Sequence, residues 1–140
     1  MEFVIFTDGG ARGNPGISGC GVSIQDSQGK EIEKISKFIG LATNNEAEYK
    51  AVSLACDWLK HQALSGDIKI SFKLDSLLVV QQLSKNWKIK EPRLLVFAQE
   101  IWEKLSTLPQ PVIFNHIPRS QNARADQLAN EAMDQGTMSH

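Results

Sequence analysis

Residues 2–7 are apolar at both odd and even positions and stop at Asp8-Gly9-Gly10. A strand covered on both faces carries this pattern, which predicts a central place in a sheet. The stretch from Gly9 to Gly16 is dense in breakers and predicts a loop. Two more strands are expected near 19–25 and 30–39, joined by a hairpin turn at Asp26-Ser27-Gln28-Gly29. Across 44–61, Ala47, Ala51, Leu54, Ala55 and Trp58 recur at helical spacing, and Thr43 with Glu46 has the spacing of a capping box. Ile68, Ile70, Phe72 and Leu74 alternate with Lys69, Ser71 and Lys73, the mark of a half-covered strand. A short helix is expected from Ser76. Another should open at Pro92 and run to about Leu105, where proline suits the first turn. A strand at 112–116 and a helix from about Ala123 to Met133 complete the series, and the tail Gln135–His140 is expected to fray.

The order βββ-α-β-α-α-β-α predicts an α/β fold, a mixed sheet flanked by helices. Its 140 residues, 41% hydrophobic, suit one domain, placed at 1–134. No run approaches the roughly 20 apolar residues of a membrane span. The N-terminus lacks the basic start and small-residue cleavage site of a signal peptide. Cys20 and Cys56 sit among apolar or small neighbours and are expected to be reduced. These readings predict a cytoplasmic monomer with no membrane association and no obligate protein partner. Fifteen Lys and Arg against sixteen Asp and Glu leave a net charge of −1. Any attraction to a polyanion must therefore be local.

Four acids carry the chemical signal. Asp8 and Asp75 each end a strand, and ligands of α/β sheets gather at the carboxyl ends of parallel strands. Asp8 shares its parity with Val4 and Phe6, a face expected to be buried. At about 100° per residue, Glu48 falls within the apolar arc of its helix, whereas Glu46 falls on the opposite side as a surface cap. Asp126 flanks the Ala125, Ala129, Ala132 stripe in the first turn of the last helix. Singly, each acid suits a turn or a helix dipole. Converging carboxylates without inward Lys or Arg suggest hard divalent cations, Mg²⁺ or Mn²⁺. Four of them suit two ions, the arrangement that stabilises attacking and leaving oxygens in phosphodiester cleavage.

The segment from Thr7 to Gly16, the segment Thr43-Asn44-Asn45-Glu46-Ala47-Glu48-Tyr49, the triplet Leu74-Asp75-Ser76 and the segment from His116 to Ala129 resemble, in order and spacing, the four motifs of type 1 ribonuclease H. The resemblance covers residues 2–134. It implies a ribonuclease H-like fold with a five-stranded mixed sheet, three antiparallel strands followed by two parallel ones. It implies endonucleolytic cleavage of the RNA strand of an RNA–DNA hybrid, leaving 5′-phosphate and 3′-hydroxyl ends. Asp8, Glu48, Asp75 and Asp126 match the four metal-binding carboxylates. His116 matches a mobile histidine that aids proton transfer or product release, with Arg119 a rival for that role.

RNA is told from DNA by its 2′-hydroxyl. Gly9 and Gly10 would allow close backbone approach, and Asn14, Asn44 and Asn45 supply amides that donate and accept. Ser76 belongs to the third motif. Thr43, Asn14 and Arg12 resemble a pocket for a DNA phosphate, at a helix N-terminus that favours anions. Many bacterial members insert a basic helix and loop as a substrate handle. Here that region holds only residues 85–93, where Lys85, Lys88, Lys90 and Arg93 stand against Glu91 alone. Trp87 beside Lys88 fits stacking near phosphate contacts. No N-terminal hybrid-binding module is evident, so poor processivity is expected. Two other readings stay open: a nuclease of the same fold acting on other structured nucleic acid, and a non-catalytic nucleic-acid-binding module.

Overall fold

The computed structural model describes residues 1–138. Among them, the strands are β1 (Glu2–Arg12), β2 (Gly16–Gln25), β3 (Glu31–Ala42), β4 (Lys69–Leu74) and β5 (Val112–His116). The helices are α1 (Asn44–Lys60), α2 (Leu77–Leu83), α3 (Pro92–Ser106) and α4 (Ala123–Met138), with a 3₁₀ turn at Arg119–Gln121. The five strands form one sheet in the order β3-β2-β1-β4-β5. The β1–β2 and β2–β3 pairs are antiparallel, and the β1–β4 and β4–β5 pairs are parallel. β1 is central, as its two apolar parities predict.

Local chemistry accounts for the helix starts. The Thr43 hydroxyl accepts from the Glu46 N–H at 3.1 Å, and the Glu46 carboxylate accepts from the Thr43 N–H at 3.0 Å. This is the expected capping box. Ser76 caps α2 by accepting from the Val79 N–H. Pro92 stands in the first turn of α3. Phe3, Ile5, Val22, Ile24, Ile70 and Phe72 of the sheet pack with α1, α2 and α3 into the main core. Helix α4 lies against β1, β2 and β3.

Three expectations change. First, Gly9–Arg12 is not loop but the end of β1, paired with Cys20 to Ile17 of β2. Its poor strand propensity is overridden by pairing and packing: a Cβ on Gly9 would lie 2.1 Å from the Ala47 carbonyl oxygen of α1. Second, the more deeply buried face of β1 is that of Phe3, Ile5 and Thr7; Val4, Phe6 and Asp8 are only partly buried. The α1–α3 layer covers the former face, while the other face has α4. Third, the tail expected to fray continues α4 through Met138. Gly136 sits so close to Phe38 of β3 that a Cβ would be 2.2 Å from the ring, so tertiary packing holds this last turn. Ser139 and His140 lie outside the described residues.

Candidate active site

Asp8 does not end β1 as the sequence suggests: past the last parallel pair, Phe6 opposite Lys73, β1 runs on through Asp8 to Arg12, whereas β4 stops at Leu74. That places Asp8 next to Asp75. Helix α1 approaches β1 at Gly9, where the missing side chain lets the helix backbone close in. Glu48 is thereby carried inward: it is 7% exposed and accepts a short hydrogen bond from the Gly9 N–H through Oε1. Carboxylate oxygens of Asp8, Glu48 and Asp75 all lie within 4.8 Å of one another.

Asp126 reaches this group from α4 through a side-chain hydrogen bond with Asp8. It lines a cleft with Asp8, Gly9, Arg12, Arg119 and Asn130. Its place is set by β2: Gly21, the register partner of Asp8, meets α4 so closely that a Cβ would be 2.1 Å from the Ala125 carbonyl oxygen. Asn130, one turn along α4, donates to Asp126 Oδ2 at 3.2 Å. Arg119 comes within 3.9 Å of Asp126 on the exposed rim.

Electrostatics marks the cluster as under-compensated. Burial pushes Asp8 up to about 7, with the charges of Asp75 and Asp126 adding to the effect and a hydrogen bond with Glu48 opposing it. Burial, then the charge of Asp8, raises Glu48 well above the usual carboxylate range, against the pull of the Gly9 N–H. Among the described residues no Lys or Arg forms an ion pair with Asp8, Glu48 or Asp75. An all-oxygen donor set with unrelieved negative charge fits a hard divalent cation.

The remaining predicted residues divide between two places. Asn14, Thr43, Asn44 and Asn45 line a second pocket beside the N-terminus of α1, together with Arg93. The side-chain oxygens of Asn14, Thr43 and Asn44 already accept backbone hydrogen bonds. Asn14 Oδ1 accepts from the Asn44 N–H at 3.0 Å, and Asn44 Oδ1 accepts from the Ala11 N–H at 2.9 Å. Arg12 is not with them: its guanidinium pairs with Asp134 at 2.7 Å, beside Asn130 in the acidic cleft. Arg93, counted in the sequence only among the local cations, supplies the positive charge of that pocket. Gly10 faces Met133 of α4.

His116 ends β5, in register with Leu74, the residue before Asp75, and is exposed. Ser76 is a helix cap. Trp87 is 46% exposed, so it is not a core residue, and Lys88 beside it is exposed. Lys85 instead lies over the Trp102 ring, 4.8 Å from its centroid. Two residues at these sites, Arg93 and Asn130, carry no site role in the sequence reading, and Asn122 enters it only as part of a motif. Asn130 follows Asp126 by four positions, a helical spacing that was readable. Asn122 joins the site through contacts distant in sequence.

A sheet of this order with acids on β1 and just past β4 defines the ribonuclease H-like fold. Residues 6–132 match the reverse transcriptase-like family. The bifunctional protein Rv2228c of Mycobacterium tuberculosis is 37% identical over 140 residues, covering 99% of this chain and 37% of its own length. The chain thus spans little more than a third of the mycobacterial relatives it matches. The ribonuclease H of Ruthia magnifica is 34% identical over 146 residues, covering 95% of this chain and 96% of its own. The structure of LC11-RNase H1 in complex with an RNA/DNA hybrid matches with a TM-score of 0.92 at 41% identity, covering 96% of this chain and 99% of that one. This chain belongs to the type 1 ribonuclease H family.

Proposed function

We propose that the chain is a metal-dependent endonuclease that hydrolyses the RNA strand of RNA–DNA hybrids, leaving 5′-phosphate and 3′-hydroxyl ends. The observation that carries this reading is the cluster of Asp8, Glu48 and Asp75, uncompensated by cations, with Asp126 at its rim. These four acids would hold two Mg²⁺ or Mn²⁺ ions. Bound divalent ions supply a water nucleophile activated at neutral pH and charge neutralisation at the departing 3′ oxygen. In this reading residues 1–134 are one catalytic domain, and α4 carries its last helix to Met138. The buried free thiols of Cys20 and Cys56 suit a reducing compartment, the cytoplasm, and the chain acts as a monomer.

The residues around the cluster have separable tasks. Asn14, Thr43 and Arg93 grip a phosphate of the DNA strand, with Arg93 taking the place first given to Arg12. Because the oxygens of Asn14 and Asn44 are committed to backbone N–H groups, their amide NH₂ groups remain as donors. Asn44, Asn45 and the backbone of Gly9 and Gly10 read the RNA strand and its 2′-hydroxyls, with Ser76 beside Asp75. Exposed His116, at the same sheet end as Asp75, handles the proton or releases product. Arg119 contacts RNA phosphate from the rim. Trp87 and Lys88 hold the hybrid farther out.

Asp8→Asn and Asp75→Asn test the reading. Each should lose Mg²⁺-dependent cleavage of a hybrid by at least about 100-fold while thermal unfolding stays cooperative. Full activity in either variant would contradict the metal-site assignment.

A further inference from the structure

Asn122 is wholly buried, lying just before α4, and it touches three of the four acid-bearing segments. Its Nδ2 donates to the Thr7 carbonyl oxygen at 2.9 Å, one residue before Asp8. The same Nδ2 donates to Asp75 Oδ2 at 3.1 Å. Its own carbonyl oxygen accepts from the Asp126 N–H at 3.1 Å. Two acceptors face one end of the amide, so only the NH₂ end can meet them. The other end, Oδ1, is buried with no hydrogen-bond partner among the described residues. A buried orphan carbonyl is costly, and the fold retains it where the amide serves the acid cluster.

We propose that Asn122 is a positioning residue that holds the Asp75 carboxylate in place for the cation and locks Asp8, Asp75 and Asp126 into one frame. The proposal rests on the reading of these acids as metal ligands. Asp75 lies just past β4, within 4.8 Å of two other carboxylate groups that repel it. Its one side-chain hydrogen bond among the described residues comes from Asn122. An amide suits the task. Lys or Arg would neutralise the carboxylate and compete with the metal, whereas a neutral donor orients it without removing its charge. The bond takes one lone-pair site of Oδ2 and leaves the others of the carboxylate open to a cation. Such outer partners of metal-ligating carboxylates typically govern affinity by 10–100-fold.

The test is calorimetric titration of the metal-free protein with Mn²⁺ alone. Asn122→Ala and the similarly branched Asn122→Leu should each weaken Mn²⁺ binding about ten-fold or more. The half-saturating Mn²⁺ for hybrid cleavage should rise by the same factor, with KM for the hybrid changed less than about two-fold. Gly136→Ala presses a Cβ against the Phe38 ring and loosens α4 on β3 ten positions along the helix from Asp126. It should lower the unfolding temperature and leave Mn²⁺ affinity unchanged, which separates loosening of α4 from loss of the Asp75 contact. Wild-type Mn²⁺ affinity in the Asn122 variants, alongside weakened binding in Asp75→Asn, overturns the proposal alone. Wild-type affinity in Asp75→Asn as well overturns the metal-site reading beneath it. Should neither Asn122 variant fold, the native protein answers by NMR. The Asn122 side-chain NH₂ resonances should shift during Mg²⁺ titration, and should not do so in Asp75→Asn. Resonances that stay fixed in the native protein would refute the role.

Discussion

Glu46 and Glu48 are two positions apart on one helix and have opposite tasks. Glu46 completes the capping box and lies 3.7 Å from Arg93, whereas Glu48 is turned into the cluster. Glu46→Gln keeps the capping box and should therefore cost no more than about 0.5 kcal/mol of stability and leave kcat within about two-fold, while Glu48→Gln should lose most cleavage. Equal losses in a hybrid-cleavage assay would overturn this division. Asp8 carries a pH signature in the metal-free protein. Its folded pKa stands near 7, against an ordinary 3.8. The folded state therefore binds this proton more tightly than the unfolded one. The resulting stability is full below pH ~4 and is lost as pH rises through ~7. In chelator at pH 8, Asp8→Asn should be more stable than the parent by about 1–3 kcal/mol, and the gap should close towards pH 4. Thermal unfolding at both pH values checks this, and a variant less stable at pH 8 contradicts it.

At the scale of elements, close backbone contact sets the site. Gly9 lets α1 approach β1, and Gly21 lets α4 approach β2. Gly21→Ala should destabilise the fold by about 1–3 kcal/mol and lower cleavage by displacing Asp126. A variant with unchanged unfolding temperature and activity would show that α4 has slack there. This is also where the sequence was hardest to read. The start of α1 was legible because a capping box is local, and the phase of Glu48 followed from the same helix. The strand state of Gly9–Arg12 was not, because it depends on pairing with Ile17–Cys20 and on contacts with Ala47 and Met133. The last turn of α4 was hidden for a similar reason, since its partner Phe38 is a hundred positions away. Asn122 was visible as a member of a motif, but its hydrogen bonds to Thr7 and Asp75 belong to the folded chain alone. The acids were legible from the end of β4 and the helix phases, whereas the place of Asp8 inside β1 and its hydrogen bond with Asp126 were not, because both depend on the folded sheet and α4.

The whole molecule resolves the near-zero net charge into opposed regions. Acids gather at the sheet end, and Lys88 and Lys90 stand exposed in the segment after α2 with Trp87. Lys85 is partly occupied with Trp102. Neutralising Lys85, Lys88 and Lys90 together should raise KM for hybrid and flatten its dependence on salt by up to about three counterions, with kcat little changed. An unchanged salt slope would remove this segment from the substrate surface. The free chain is nearly neutral, and on the proposed reading cations held by the four acids would offset the negative charge at the sheet end. On the proposed reading, that surface and the acid cluster serve one activity. Its most direct test is a cleavage panel of RNA–DNA hybrid, duplex RNA, duplex DNA and single-stranded RNA with Mg²⁺ or Mn²⁺ supplied. The RNA strand of the hybrid alone should be cut, to 5′-phosphate and 3′-hydroxyl ends, and chelator should abolish the cutting. Preferential cutting of any other member, or an uncut hybrid that is nonetheless bound, would contradict the proposed reading.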